Sequence, residues 1–280
     1  MIDYPNAIIA GAQKCGTTWL ARRLNQHTDI FVHRQEIHFF DNDTNYHKGE
    51  KWYFDHFKNS NKKIRMEKCG AYLFTIKNKL IPERIKSNLL HTKLIFILRN
   101  PIARAISAWY HLINFGHINP FGSINDILDP QKRELIKEHG VLERGLYYSQ
   151  LISYFEYFSN KDILILFFED DIAKNPNKGL QKVCKFLDVD PNFPFRQLQE
   201  PENKIKATMP GLELLYKSPR MAKKYISWLD KKLIVNLIPK QVYVPIKPNA
   251  DVYAFLREYY SDDNQKLLNF LGYIPESWLS

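Results

Sequence analysis

IIAGAQKCGTTWL, residues 8–20, joins a short apolar run to the start of a helical pattern through a glycine-bearing turn. Ile8, Ile9 and Ala10 are apolar without alternation, as in a strand buried on both faces. Gly11 and Gly16 bracket four residues, two threonines follow, and Trp19, Leu20 and Leu24 recur at helical spacing. Strand, glycine turn and helix form the context of a phosphate-binding loop, where backbone N–H groups and the positive end of the helix dipole face an anion. A nucleotide triphosphatase carries lysine directly after the second glycine. Here Thr17 fills that slot and the loop's one lysine is Lys14. The pattern predicts an anion cradle from Lys14, Cys15, Gly16, Thr17 and Thr18, with its lysine approaching from another side. A glycine turn with a surface lysine is the structural alternative, and the flanking strand and helix weigh against it.

Working outward, DIFVH and KIRMEKCGAYLF contain a second and a third strand, IPERIKSNL a short helix, and KLIFILRNP a strand stopped by Asn100-Pro101. IARAISAWYHLINF and GLYYSQLISYFEYF are amphipathic helices, DILILFFED a further buried strand, and GLQKVCKFL another helix. Such alternation predicts an α/β, P-loop-like three-layer fold with a mostly parallel central sheet flanked by helices. VYAFLREYYSDDNQKLLNFLG restores helical periodicity and ends at Gly272. Residues 1–280 form one predicted domain, with a basic helical elaboration at about 200–248.

The 280 residues carry 40 Lys+Arg against 30 Asp+Glu, a net charge of +10 that favours anionic partners without choosing among nucleotide, acidic glycan, nucleic acid and membrane. Three cysteines without metal-type spacing argue against a disulfide framework and for a reducing cytoplasm. No secretory signal or membrane-spanning run is visible, so the expected location is cytoplasmic. Asn42-Asp43-Thr44 matches a glycosylation sequon and is expected to be fortuitous there.

Three further segments carry candidate chemistry. Arg99 stands at the carboxyl end of a buried strand, the edge where open α/β sheets bind ligands. Ser107 follows eight residues later, about two turns into the next helix. A guanidinium fork plus a hydroxyl suits a terminal phosphate; taken alone, the pair reads better as an arginine matched to a carboxylate and a helix serine facing solvent. In RQEIHFFD, Glu36 and His38 lie beside the loop if the first two strands are close, and either can accept a proton from an attacking hydroxyl. A polar turn before a buried Phe39–Phe40 pair is the plain alternative. His33 and His38 lack the further ligand spacing that a metal site needs, so no metal is expected. Lys68, in MEKCGAY, ends the third strand and faces the same edge.

In this order the segments resemble the sulfotransferases that use 3′-phosphoadenosine 5′-phosphosulfate (PAPS), in particular the branch of heparan sulfate O- and N-sulfotransferase domains and their bacterial relatives. GAQKCGTTWL is similar to the loop that holds the 5′-phosphosulfate, and LRNPIARAISAWY to the 3′-phosphate motif. The resemblance implies that Lys14, Cys15, Gly16, Thr17, Thr18, Arg99 and Ser107 bind PAPS and that Glu36, Lys14 and Lys68 are catalytic. It places His38 and Phe39 on the acceptor side, and it implies a bacterial cytoplasmic enzyme. Cys15 stands where glycine or serine is common, as a small loop residue or a redox-sensitive thiol. The family's cofactor-closing loop finds no clear counterpart in 200–248, where Lys204 and Lys206 are candidates.

The expected reaction is in-line transfer of a sulfuryl group from PAPS to a hydroxyl or amine of a glycan, glycolipid or small natural product, with Glu36 as base. Adenosine 3′,5′-bisphosphate is the expected product, and no nucleic acid partner is expected. One alternative is a P-loop nucleotide kinase using ATP. The other is a basic membrane-surface or nucleic-acid binding protein, since residues 216–240 carry seven Lys/Arg against one acid, interleaved with Met221, Tyr225, Trp228 and Leu229. As an accessory feature, that stretch predicts peripheral membrane contact.

Overall fold

The computed structural model describes residues 4–58, 60–114, 117, 123–199 and 248–279. The predicted elaboration at 200–248, with its lysine candidates and the 216–240 membrane segment, lies outside the described residues.

Five strands form one sheet in the order β2-β3-β1-β4-β5, every pair parallel: β1 (Ala7–Gly11), β2 (Ile30–Val32), β3 (Ile64–Lys68), β4 (Lys93–Leu98) and β5 (Ile163–Phe167). The apolar run of β1 is buried at every position, as expected for a central strand covered on both sides. Helix α1 (Thr17–Leu24) leads back from β1 toward β2. The short helices α2 (Asp43–Tyr46) and α3 (Gly49–Phe54) follow β2. Asn42, the asparagine of the sequon, accepts the Asn45 N–H and caps α2.

Helix α4 (Ile81–Asn88) joins β3 to β4, α5 (Pro101–Asn114) follows β4, and α6 (Pro130–Lys137) and α7 (Tyr147–Phe155) precede β5. A π-helical turn, Phe168–Lys174, then leads to α8 (Pro176–Leu187), and α9 (Ala250–Leu271) comes near the end of the described chain. The connection through α1 runs toward β2, and those through α4 and α7 run the opposite way across the sheet. The right-handed rule for parallel crossovers therefore assigns them to opposite faces; α8 returns to touch α1. Helix α9 packs on α5 and α7. It also caps α7: the Asp263 carboxylate accepts the Tyr148 and Ser149 N–H groups at 2.9 and 3.1 Å. Leu146, at the N-cap of α7, supplies no such acceptor.

Chain connections run outward in both directions from the β1/β4 pair, which makes its carboxyl edge the switch point where such sheets bind ligands. The loop after β1 and Arg99 after β4 therefore emerge side by side. By contrast β1 and β2 are not neighbours, because β3 lies between them. The Glu36 segment reaches the loop only by folding across the end of β3.

Candidate functional site

Loop 11–16 is shaped by its glycines. Gly11 has φ 148°, and a Cβ there would lie 2.7 Å from Leu73 Cβ. Gly16 has φ 95° at the N-cap of α1, and a Cβ there would meet the Phe168 ring at 3.1 Å. The first N–H groups of α1 have no intrahelical acceptor, and no acidic residue occupies its first turn. They face a cleft of about 470 Å³ lined by Gln13, Lys14, Gly16, Thr17, Thr18, Glu36, Arg99, Ser107 and His111, with Trp19 and Phe168 on its walls.

Arg99 ties the two predicted anion segments together. Its Nη1 donates to the Lys14 carbonyl at 3.2 Å, and its guanidinium lies 4.8 Å from the centre of the Phe168 ring. The Tyr147 hydroxyl donates to the Arg99 carbonyl at 2.8 Å. Asn100 is held from the far side: its N–H donates to Glu169 Oε1 at 2.9 Å, and Glu169 Oε2 accepts the Trp278 indole N–H at 3.2 Å. Ser107 joins the cleft from two turns into α5.

Positive charge dominates this space. The Lys14 ammonium is 3.4 Å from His111 Nδ1. Burial, then the charge of Arg99, lowers the Lys14 pKa. Burial and the Lys14 charge bring His111 down to about 4, so its imidazole is neutral near pH 7. Arg104, fully buried on α5, adds a further cation acting on Lys14. Among the described residues Glu36 is the one carboxylate lining the cleft; its Oε1 lies 2.6 Å from Lys68 Nζ, which also donates to Thr18 Oγ1 at 3.4 Å. The cationic Lys14 and Arg99 in one cleft, with Glu36 the one acid among its described lining residues and paired to Lys68, suit a compound bearing more than one anionic group.

Most of the predicted residues meet here, but two need correction. Cys15 does not line the cleft: its thiol is buried 3.5 Å from Tyr147 Oη, and its N–H donates to Ala12 O. Burial raises its pKa to about 11, which opposes reactivity as a thiolate and favours the small-loop-residue alternative. Phe39 is fully buried and stacked 4.6 Å from Tyr53, out of an acceptor's reach. Its N–H donates to Tyr72 Oη, and Tyr72 and Tyr53 both donate to buried Glu67, so Phe39 anchors the loop that carries Glu36. His38 is 41% exposed, with Nε2 at 3.5 Å from Glu36 and Nδ1 at 3.0 Å from Asp41. The Asp41 hydrogen bond raises its pKa.

Inspection of the sequence missed His111 and Phe168. His111 lies four residues after Ser107 and so on the same helix face, a signal that was available. Phe168 follows the carboxyl end of β5, but its inward turn depends on the π-helical segment.

A protein-family model described as a sulfotransferase domain matches residues 4–208. Human heparan sulfate glucosamine 3-O-sulfotransferase 5 is 33% identical over 195 residues, a match covering 68% of this chain and 55% of that protein. Bifunctional heparan sulfate N-deacetylase/N-sulfotransferase 1 of Caenorhabditis elegans is 32% identical over 204 residues, covering 69% and 23%. The chain thus spans about half, or less, of the length of these curated relatives. A solved sulfotransferase from Alicyclobacillus acidocaldarius shares the fold, with a TM-score of 0.71 and 21% identity over 99% of both chains. The domain match, with the loop and strand-end motifs in one cleft, establishes that the chain belongs to the sulfotransferase family.

Proposed function

We propose that the chain moves a sulfuryl group from PAPS to an acceptor hydroxyl or amine. The observation that carries this is the convergence of Arg99 and Ser107 with loop 11–16 in one cleft. Arg99 and Ser107 take the 3′-phosphate; Lys14 and the N-terminus of α1 take the 5′-phosphosulfate. The donor supplies the sulfuryl group and leaves as adenosine 3′,5′-bisphosphate. Lys14, assisted by Lys68, offsets the charge that builds on the bridging and sulfuryl oxygens, the part that magnesium plays in an ATP site. Glu36 takes the acceptor proton: it lines the cleft, and Oε2 points away from the Lys68 pair toward His38. His38, half exposed at the same edge, meets the acceptor.

The names of the relatives favour a glycan acceptor, with glycolipids and small hydroxylated or amine-bearing natural products as further classes. The chain acts in the cytoplasm, with 216–240 as a peripheral membrane contact. Turnover with radiolabelled PAPS against such a panel identifies the acceptor. Glu36→Gln lowers kcat by about 10²-fold or more, and Arg99→Ala weakens adenosine 3′,5′-bisphosphate binding by roughly 10–100-fold. Unchanged turnover in Glu36→Gln overturns the base; unchanged bisphosphate affinity in Arg99→Ala overturns the donor site.

A further inference from the structure

Cys69 immediately follows β3, is fully buried, and has no part in the proposed transfer. Its Sγ lies 3.5 Å from His38 Nδ1, while His38 Nε2 lies 3.5 Å from Glu36 Oε2. One ligand atom from each of Glu36, His38 and Cys69 falls within 4.8 Å of the other two. The ligand spacing sought in the sequence through His33 and His38 is absent there; the fold completes it by bringing Cys69 across from β3.

Thiolate, imidazole and carboxylate together form a donor set for a thiophilic divalent cation. Tetrahedral zinc, with bonds of about 2.0 Å to nitrogen or oxygen and about 2.3 Å to sulfur, holds its ligand atoms about 3.3–3.6 Å apart. With Nδ1 facing Asp41, Nε2 is the ligand nitrogen, and Glu36 Oε2 stands 3.5 Å from it, within that range. The 3.5 Å of Cys69 Sγ is to Nδ1, so the thiol closes on the ion by a shift from within the 4.8 Å cluster. Asp41, 3.0 Å from His38 Nδ1, supplies the outer carboxylate that commonly orients a metal-binding imidazole through its other nitrogen. Lys68 holds Glu36 Oε1 and leaves Oε2 for the cation, though its ammonium opposes a second positive charge nearby. The His38 and Glu36 side chains, 41% and 31% exposed, open the site to solvent.

We propose that Glu36, His38 and Cys69 form a zinc-binding site whose occupation withdraws Glu36 from acceptor activation and so inhibits the enzyme. On binding, a Zn–S bond replaces the S–H bond, the thiol proton passes to solvent, and water fills the fourth position. The inhibitory half rests on the proposed function, whereas the binding half rests on geometry alone.

Cobalt(II), added to the full chain as a coloured zinc stand-in, tests it. Wild type should show a thiolate–cobalt charge-transfer band that zinc abolishes. Cys69→Ser should lose the band, and Cys15→Ser and Cys184→Ser should keep it. His38→Gln should weaken zinc binding at least tenfold and serves as the second variant, with melting temperatures reporting whether each variant folds. Absence of the band in wild type, or its survival in folded Cys69→Ser, overturns the site. Zinc should also stop turnover reversibly, with a chelator restoring it and His38→Gln needing at least tenfold more zinc. Cobalt ligation through Cys69 without loss of turnover on adding zinc overturns the inhibition and the role given to Glu36. The band is read on the protein itself, so failure of the PAPS assignment remains distinguishable.

Discussion

Lys14 and His111 show how one pair of side chains sets the electrical state of the cleft. Two basic groups 3.4 Å apart, partly withdrawn from water, cannot both hold a proton cheaply. The lysine keeps the charge and the imidazole stays neutral, with its pKa near 4 against about 6.5 in the unfolded chain. Between those values the unfolded state binds more protons, so this pair costs the fold stability as pH falls from about 6.5 toward 4. His111→Gln is expected to flatten that slice of the profile. The check is the difference in melting temperature between variant and wild type from pH 7 to 4.5, which should shift in the variant's favour as pH drops. A difference that stays constant with pH would refute the pairing.

Elements meet at the site through a few polar contacts. The three-residue turn Glu276–Trp278 reaches Arg99 through Glu169, which accepts from both the Trp278 indole and the Asn100 backbone. Trp278 also packs 5.7 Å from Tyr147, and Tyr147 holds the Arg99 carbonyl. Strand end, π-helical turn and C-terminal turn therefore share one network, positioning the guanidinium from outside the cleft. Glu169→Ala leaves two donors without their carboxylate, costing about 2–3 kcal/mol. It should lower the melting temperature by roughly 4–10 °C and weaken adenosine 3′,5′-bisphosphate binding about tenfold. Calorimetric titration of the folded variant checks this, and wild-type affinity would mean that Arg99 holds its place without Glu169.

For the whole molecule, the net charge of +10 becomes specific only where the sheet gathers it. Lys14, Arg99 and Arg104 belong to elements that follow adjacent strands, and the carboxyl edge concentrates them against one cleft. A ligand that binds only the native state raises its stability by about 2.7 kcal/mol at a hundredfold excess over Kd. Adenosine 3′,5′-bisphosphate should therefore raise the melting temperature by roughly 5–10 °C, with Mg-ATP giving much less. The opposite order would favour a nucleotide kinase.

Strand–helix alternation, the glycine loop and Arg99 were legible in the chain because they depend on local periodicity, backbone freedom and strand ends. The β1, β4 and β5 runs are apolar and bounded by turn signals, so burial on both faces leaves them little alternative. Other features required pairing across long separations. The place of β3 between β1 and β2 follows from sheet order, not spacing, and it alone brings Lys68 and Cys69 to Glu36 and His38. Phe39 looked available until α3 and β3 closed over it, and Cys15 until Tyr147 covered its thiol. Local residue patterns encode which elements form. Burial and hydrogen-bond partners are set by segments 30 to 130 residues away, and there the tertiary structure decided which side chains reach the cleft.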